Sequence, residues 1–249
     1  MFNLRKVQKA RNRLRIITGI LFKFFQISLM YREKRKEYGI EVFEYFYLPW
    51  RSNSEFNNSY NKIKDYTLNP KSRLYILHEL SKYYLKENTT FIEVGTWRGG
   101  VCGLISLVNE DKNFDLYACD SFDGVKKSSE HDSFFKDGEY SDTGISYIRK
   151  VEELLIHKIN VVEGTFPESM VNEIQNPISF AHIDVDTYFS AKESFEYISN
   201  RLIKGGVVVL DDYGGWFTDG VTRYGNELKN NTNYFVVPNH IGQLIIFKK

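Results

Sequence analysis

The sequence predicts an α/β protein built on a doubly wound, mostly parallel sheet of seven strands, with an antiparallel last strand and a helical N-terminal extension. Three observations carry this expectation. From residue 90 onward, short apolar runs alternate with helical stretches. The runs are continuous, as in Val207–Leu210, so they read as strands buried on both faces, which is the pattern of a parallel sheet. The chain then closes on "NYFVVPNHIGQLIIFKK", two apolar stretches around Asn239-His240 that read as a hairpin.

The elements follow in order. Residues 31–69 read as a connecting region rich in aromatics and Asn. In "NPKSRLYILHELSKYYLKE", Pro70 suits a first helical turn, and Leu74, Leu77, Tyr84 and Leu85 fall near one helical face. "TTFIEV" is a strand and "GGVCGLISLVNE" a helix. "DLYACD" is the second strand, "GISYIRKVEELLIH" a helix and "INVVEG" the third strand. "PISFAHIDVD" is the fourth strand. "SAKESFEYISNRLI" is a helix expected to open with a Ser190-x-x-Glu193 capping box and to stop at Gly205-Gly206. "VVVLDD" is the fifth strand, and the terminal hairpin supplies the last two. Right-handed crossovers turn such a βα repeat into a doubly wound, Rossmann-like sheet.

Composition narrows the class. A chain of 249 residues with 42% apolar content can bury one large α/β core. A formal charge of +1 gives no overall argument for nucleic acid as a partner. Cys102 and Cys119 lack metal-ligand spacing, and a reducing cytoplasm is the default compartment. Charge is unevenly placed. Residues 1–37 hold eleven Lys/Arg and two Glu, a net +9, which leaves −8 on the remainder. The apolar stretch Ile16–Met30 inside that segment is fifteen residues long and interrupted by Lys23 and Gln26. A spanning helix needs about 20 apolar residues. Residues 1–44 therefore read as a basic amphipathic arm on a domain spanning 45–249. Its segment 5–36 suits either the surface of an anionic membrane or packing against a second subunit in a homo-oligomer.

The chemistry-bearing residues cluster at strand ends. In open α/β sheets the C-terminal edge of the strands is where ligands bind. Glu93 ends the first strand, and Gly95, Gly99 and Gly100 open the helix that follows, so a ligand can approach the backbone at a helix N-terminus. This spacing is not the Gly-x-Gly-x-x-Gly dinucleotide pattern. Asp120 ends the second strand, where an acid can accept hydrogen bonds from a ribose diol or simply cap a turn. Glu163-Gly164 follows the third strand, a place where an adenine ring could stack. Asp184 follows the fourth strand, and Asp211-Asp212 end the fifth. Three carboxylates from neighbouring strand tips make a hard oxygen set that suits Mg²⁺ or Ca²⁺ better than Zn²⁺. The alternative for Asp212-Tyr213-Gly214 is a solvated turn. His182 reads as a core histidine, and Asp186 as the start of the next helix. Ser121–Thr143 has no regular pattern and reads as a lid or a solvated insertion.

Taken in series, "FIEVGTWRGG", "CDSFDGV", "EGTFPES", "HIDVDTYFSAKESFEYISNRLIKGGVVVLDDYG" and "GQLIIFKK" resemble the macrocin O-methyltransferase (TylF-type) family over roughly residues 45–249. The resemblance implies a class I methyltransferase fold, S-adenosylmethionine as cofactor, a divalent metal such as Mg²⁺, and methylation of a hydroxyl on a sugar or glycan-type diol. It places Glu93, Gly95, Thr96, Gly99, Asp120, Ser121 and Gly164 on the cofactor, with Asp120 at its ribose. It places Asp184, Asp211 and Asp212 on the metal, Asp184 thereby entering catalysis. His240 stands as a candidate general base, with a plain turn residue as its alternative. Two other function classes compete: a nicotinamide-dependent oxidoreductase, disfavoured by the missing dinucleotide pattern, and a cofactor-binding module without catalysis, disfavoured by the intact carboxylates.

Overall fold

The computed structural model describes residues 47–135, 137–170 and 174–249, and the arm expected over 1–44 lies outside them. The sheet belongs to the unit Leu48–Lys249. Among the described residues there are six α-helices: α1 (Ser54–Ile63), α2 (Lys71–Tyr84), α3 (Gly100–Val108), α4 (Ile145–Glu152), α5 (Tyr188–Arg201) and α6 (Asp219–Lys229). There are seven strands: β1 (Thr89–Val94), β2 (Phe114–Asp120), β3 (Ile159–Glu163), β4 (Ile178–Ile183), β5 (Leu202–Asp211), β6 (Tyr234–Pro238) and β7 (Gln243–Lys248). They form one sheet in the order β3-β2-β1-β4-β5-β7-β6. The first five are parallel, and β7 pairs antiparallel with both β5 and β6. The expected doubly wound sheet with its antiparallel last strand is therefore present. No helix among the described residues is long and apolar enough to cross a membrane.

Period-two alternation splits the buried strand residues between two cores. Phe91, Leu116, Phe180, Val207 and Val209 face α1 to α4, with Phe56, Leu74, Leu77, Leu104 and Ile148 among the helix residues that meet them. Ile92, Ala181, Ile183, Val208 and Leu210 face α5 and α6, against Ala191, Phe195, Ile198, Val221 and Leu228. Strand β1 neighbours both β2 and β4. The chain therefore winds outward in both directions from β1, and the crevice opens beyond the tips of β1 and β4.

Several boundaries differ from the sequence reading. Helix α5 begins at Tyr188 with Thr187 as its N-cap, so Ser190 and Glu193 lie inside the helix. Ser190 Oγ donates to the Lys126 carbonyl, and Glu193 pairs with Lys127. The capping box is spent on fastening the 121–143 segment. Helix α5 also ends earlier, at Arg201, and β5 starts at once with Leu202 paired to Ile178. Gly205-Gly206 therefore sit within β5, where the ladder shifts register between Ile178 and Phe180. The connecting region contains helix α1, capped by Asn53, whose side chain accepts from the Phe56 N–H at 2.9 Å. Among the described residues, 121–135 and 137–143 carry no helix or strand, as expected.

Gly95 marks where the two halves of the sheet meet. Its φ is +83°, and a Cβ there would run into the Asp184 carbonyl. Gly205 has a similar φ of +75° with open space around it. Gly205→Ala should cost the ~1–2 kcal/mol of left-handed backbone. Gly95→Ala should cost a further ~1–3 kcal/mol for overlap with the β4 tip. Urea unfolding of both variants checks this, and equal losses would contradict the packing argument.

Candidate functional site

A cavity of about 290 Å³ opens at the C-terminal edge of β1 to β5. Its wall includes Glu93, Gly95, Thr96, Asp120, Ser121, Gly164, Asp184 and Asp212, eight of the residues singled out from the sequence. Gly99 is the N-cap of α3 at φ +84° and does not line the cavity. Asp211 lies fully buried beneath it. His240 sits exposed in the β6–β7 turn, outside the cavity wall.

One side of the cavity is built on Asp120. Its Oδ2 accepts the Trp97 N–H and its Oδ1 the Phe122 N–H, both at 2.8 Å. Each carboxylate oxygen has a second lone pair, so the group can still accept two hydroxyls. Burial raises the Asp120 pKa, against the lowering effect of the Phe122 and Trp97 N–H groups. Glu93 lines the cavity and is also tied into the scaffold. Its Oε2 accepts from Thr96 Oγ1 at 2.8 Å and from the Cys102 N–H at 3.2 Å. Its Oε1 lies 3.1 Å from His182 Nδ1. The carboxylate is thus taken up by the scaffold, holding the 95–102 turn against β4.

The acidic side follows from strand register. Glu93 on β1 lies beside His182 on β4, and His182 lies beside Val209 on β5. Asp211, two residues beyond Val209, shares its face. His182 Nε2 therefore comes within 3.3 Å of Asp211 Oδ2. Burial lowers the pKa of His182, but the neighbouring carboxylates of Asp211 and Glu93 outweigh it and raise it above the usual imidazole value. His182 is thus more than apolar packing. His182, Asp184 and Asp211 converge closely enough to surround an ion. Both ring nitrogens of His182 face carboxylates, Nδ1 that of Glu93 and Nε2 that of Asp211.

Two residues of the α2 segment complete the cluster. Asn69 Nδ2 donates to Asp184 Oδ2 at 2.7 Å, and Arg73 Nη1 donates to Asp212 Oδ1 at 2.8 Å. Neither was marked as functional by the sequence, because each lies more than a hundred positions from its partner. Asp212 reaches Arg73 from a left-handed backbone, φ +63°. Asp186 also lines the cavity, in the turn before α5. Burial, then repulsion from Asp212 and Glu139, lifts its pKa to about 7. Burial and repulsion from Asp211 and Asp212 raise Asp184 well above the usual range.

These residues fit a divalent cation. The two oxygens of Asp211 are buried and take no hydrogen bond among the described residues. Such a carboxylate calls for an ion. Four carboxyl groups, Glu93, Asp184, Asp211 and Asp212, meet one imidazole and one guanidinium, so acidic groups outnumber basic ones. The exposed donors are oxygens, the chemistry of Mg²⁺, Mn²⁺ or Ca²⁺ sites.

Comparison with known proteins bears on the family and the fold. The family model for macrocin-O-methyltransferase (TylF) matches residues 61–241. Demethyldecarbamoylnovobiocin O-methyltransferase of Streptomyces niveus is 24% identical over 136 residues, covering 49% of this chain and 52% of that protein. An enzyme of Streptomyces olivaceus, 8-demethyl-8-(2,3-dimethoxy-alpha-L-rhamnosyl)-tetracenomycin-C 4'-O-methyltransferase, is 26% identical with the same coverage. The chain thus spans about half the length of these curated relatives. The solved O-methyltransferase NovP superposes with a TM-score of 0.63 at 15% identity, over 74% of this chain and 82% of that one, a likeness of fold.

The raised carboxyl pKa values make metal-free stability depend on pH. Asp186 holds its proton in the folded protein up to about pH 7, whereas an unfolded Asp releases it near 3.9. Its contribution is full below about pH 4 and is lost as pH rises to about 7. The slope in that window is about −1.4 kcal/mol per pH unit. Asp186→Asn should remove that slope from the wild-type profile. Urea unfolding in chelator between pH 4.5 and 7 measures it, and parallel profiles would contradict the assignment.

Proposed function

This chain belongs to the macrocin-O-methyltransferase (TylF) family, and on that premise we propose that it methylates a hydroxyl of a sugar or glycan-type diol, using S-adenosylmethionine and a divalent cation such as Mg²⁺. The observation that carries this reading is the meeting, in one cavity, of Asp120 on one side with Asp184, Asp186 and Asp212 on the other. The rhamnosyl group named in the Streptomyces olivaceus enzyme supports a sugar acceptor.

When bound, the cofactor supplies an electrophilic methyl group on sulfur. Asp120 accepts the ribose hydroxyls through its free lone pairs. Gly95 and Gly164 line the wall with Thr96 and Ser121, and a Cβ at either glycine would overlap a neighbour, the Asp184 carbonyl or Ser169. When bound, the cation lowers the pKa of an acceptor hydroxyl and fixes its direction. Asp184, Asp211 and Asp212 would hold that cation, with Asn69 donating to Asp184 Oδ2. The acceptor proton needs a base within hydrogen-bond reach. Asp186, in the wall two residues beyond Asp184, takes that role in preference to His240, which lies outside the wall.

The 121–143 segment acts as a cover. The Val125 N–H donates to the Glu139 carbonyl at 2.7 Å, and the Gly138 N–H donates to the Val125 carbonyl at 2.9 Å. Asp142 takes Arg98 and Trp97 Nε1, and Asp132 accepts the Tyr188 N–H at the start of α5. Lys126, Gly124 and Tyr140 from this segment line the cavity. Closure of such a cover excludes water from the reacting groups. The basic segment 5–36 is read as a surface for anionic lipid or for a second subunit, on its sequence pattern alone.

Asp120→Ala removes a charge-assisted acceptor worth ~1.5–3 kcal/mol, so cofactor affinity by calorimetry should fall roughly 10- to 100-fold. Unchanged affinity would remove Asp120 from the cofactor site. Labelled methyl from S-adenosylmethionine should reach hydroxyls of nucleotide sugars or glycosides, and exhaustive chelation should stop it. Full transfer after chelation would overturn the metal, and cofactor binding without transfer to any such acceptor would overturn the activity.

A further inference from the structure

The acidic centre contains a positive charge of its own. Arg73 Nη1 lies 2.8 Å from Asp212 Oδ1 and 3.6 Å from Asp211 Oδ2. The guanidinium has a built seat. Its Nε donates to the Ile241 carbonyl at 2.8 Å. Gly242, at φ +85°, makes the room: a Cβ there would stand 2.5 Å from Arg73 Nη2. The side chain is mostly shielded, 18% exposed. Helix α2 and the β6–β7 turn therefore hold a fixed cation against both carboxylates at the β5 tip. A guanidinium remains charged at all working pH values and suits a pair of carboxylates better than an ammonium does.

Resting on the divalent-metal reading above, we propose that Arg73 is a resident counter-charge that competes with the divalent cation for Asp211 and Asp212, keeping metal binding weak and exchangeable. Two positive species so close to the same carboxylates repel each other, and the repulsion is strong where water is scarce. Arg73 also stabilises the centre before any metal arrives, since Asp211 has no hydrogen-bond donor among the described residues. Arg73 takes Asp212 Oδ1, and the Asp211 oxygens, which accept no hydrogen bond among the described residues, remain for a metal with Asp184 and the other Asp212 oxygen. Arg73 is thus a positioning residue: it acts on the metal through the carboxylates.

The test is binding of Mn²⁺ alone to the full chain, read as loss of the free Mn²⁺ electron paramagnetic resonance signal. Arg73→Gln should bind Mn²⁺ at least tenfold more tightly than wild type. Arg73→Lys, which restores the charge, should return affinity to within threefold of wild type. A purely structural role would weaken binding in both variants. Asp184→Asn in the Arg73→Gln background should abolish the gain, which locates the ion at this centre. Equal or weaker binding by Arg73→Gln overturns the proposal while leaving the metal reading intact. A gain that survives Asp184→Asn also overturns it. Absence of Mn²⁺ binding in wild type and Arg73→Gln alike overturns the metal reading and the proposal with it.

Discussion

Like charges on neighbouring strand tips repel, and the tips of β1, β4 and β5 carry Glu93, Asp184, Asp211 and Asp212 side by side. The ligand edge exists only because that repulsion is offset in place. His182 stands between Glu93 and Asp211. Arg73 takes Asp212, and Asn69 takes Asp184. The chain of charge runs across β1, β4 and β5 and out to α2, tying the turn at Thr96 to the acidic centre. Removing one partner from a buried pair leaves an uncompensated charge, typically at a cost of about 3–5 kcal/mol. Such links hold the geometry more than they add to stability.

The same arrangement separates two tasks inside one cavity. Asp120 is lined by backbone N–H groups, which suit an acceptor of neutral hydroxyls. Asp184 and Asp211 face each other with too few donors, which suits a cation. The wall of the cavity runs continuously from one to the other, so a cofactor and an acceptor can meet between them. Residues 121–143 lie over this wall, fastened by Asp132, Asp142 and the Lys126 carbonyl. Their hydrogen bonds run mainly to side chains at α5 and the β1–α3 turn.

The strands were legible because the central ones are buried on both faces, and a short continuous apolar run between turn residues fits a buried parallel strand better than an amphipathic helix. The carboxylates were legible because the edge of such a sheet places every strand end on one side. What the sequence hid was mostly long-range. Arg73 and Asn69 look like ordinary residues around a helix start, and only the fold brings them to Asp212 and Asp184. Helix α6 was obscured by Gly220 and Gly225. Both are required by packing, since a Cβ at Gly220 would meet Asp132 and one at Gly225 would meet Tyr213. Ser190 and Glu193 matched a capping pattern, yet Thr187 begins the helix, because Thr187 and Ser190 both donate to the Lys126 carbonyl. His182 was correctly placed in the core, but its two carboxylate neighbours belong to other strands and could not be counted from its own.

The proposed chemistry requires a cation held at the β4 and β5 tips beside a guanidinium that stays in place. A crystal grown with S-adenosylhomocysteine and Mn²⁺, measured at the manganese absorption edge, tests this directly. One anomalous peak should appear against Asp184, Asp211 and Asp212, with Arg73 still beside Asp212 Oδ1 and the ribose on Asp120. No peak at these carboxylates, or a ribose bound away from Asp120, would contradict it.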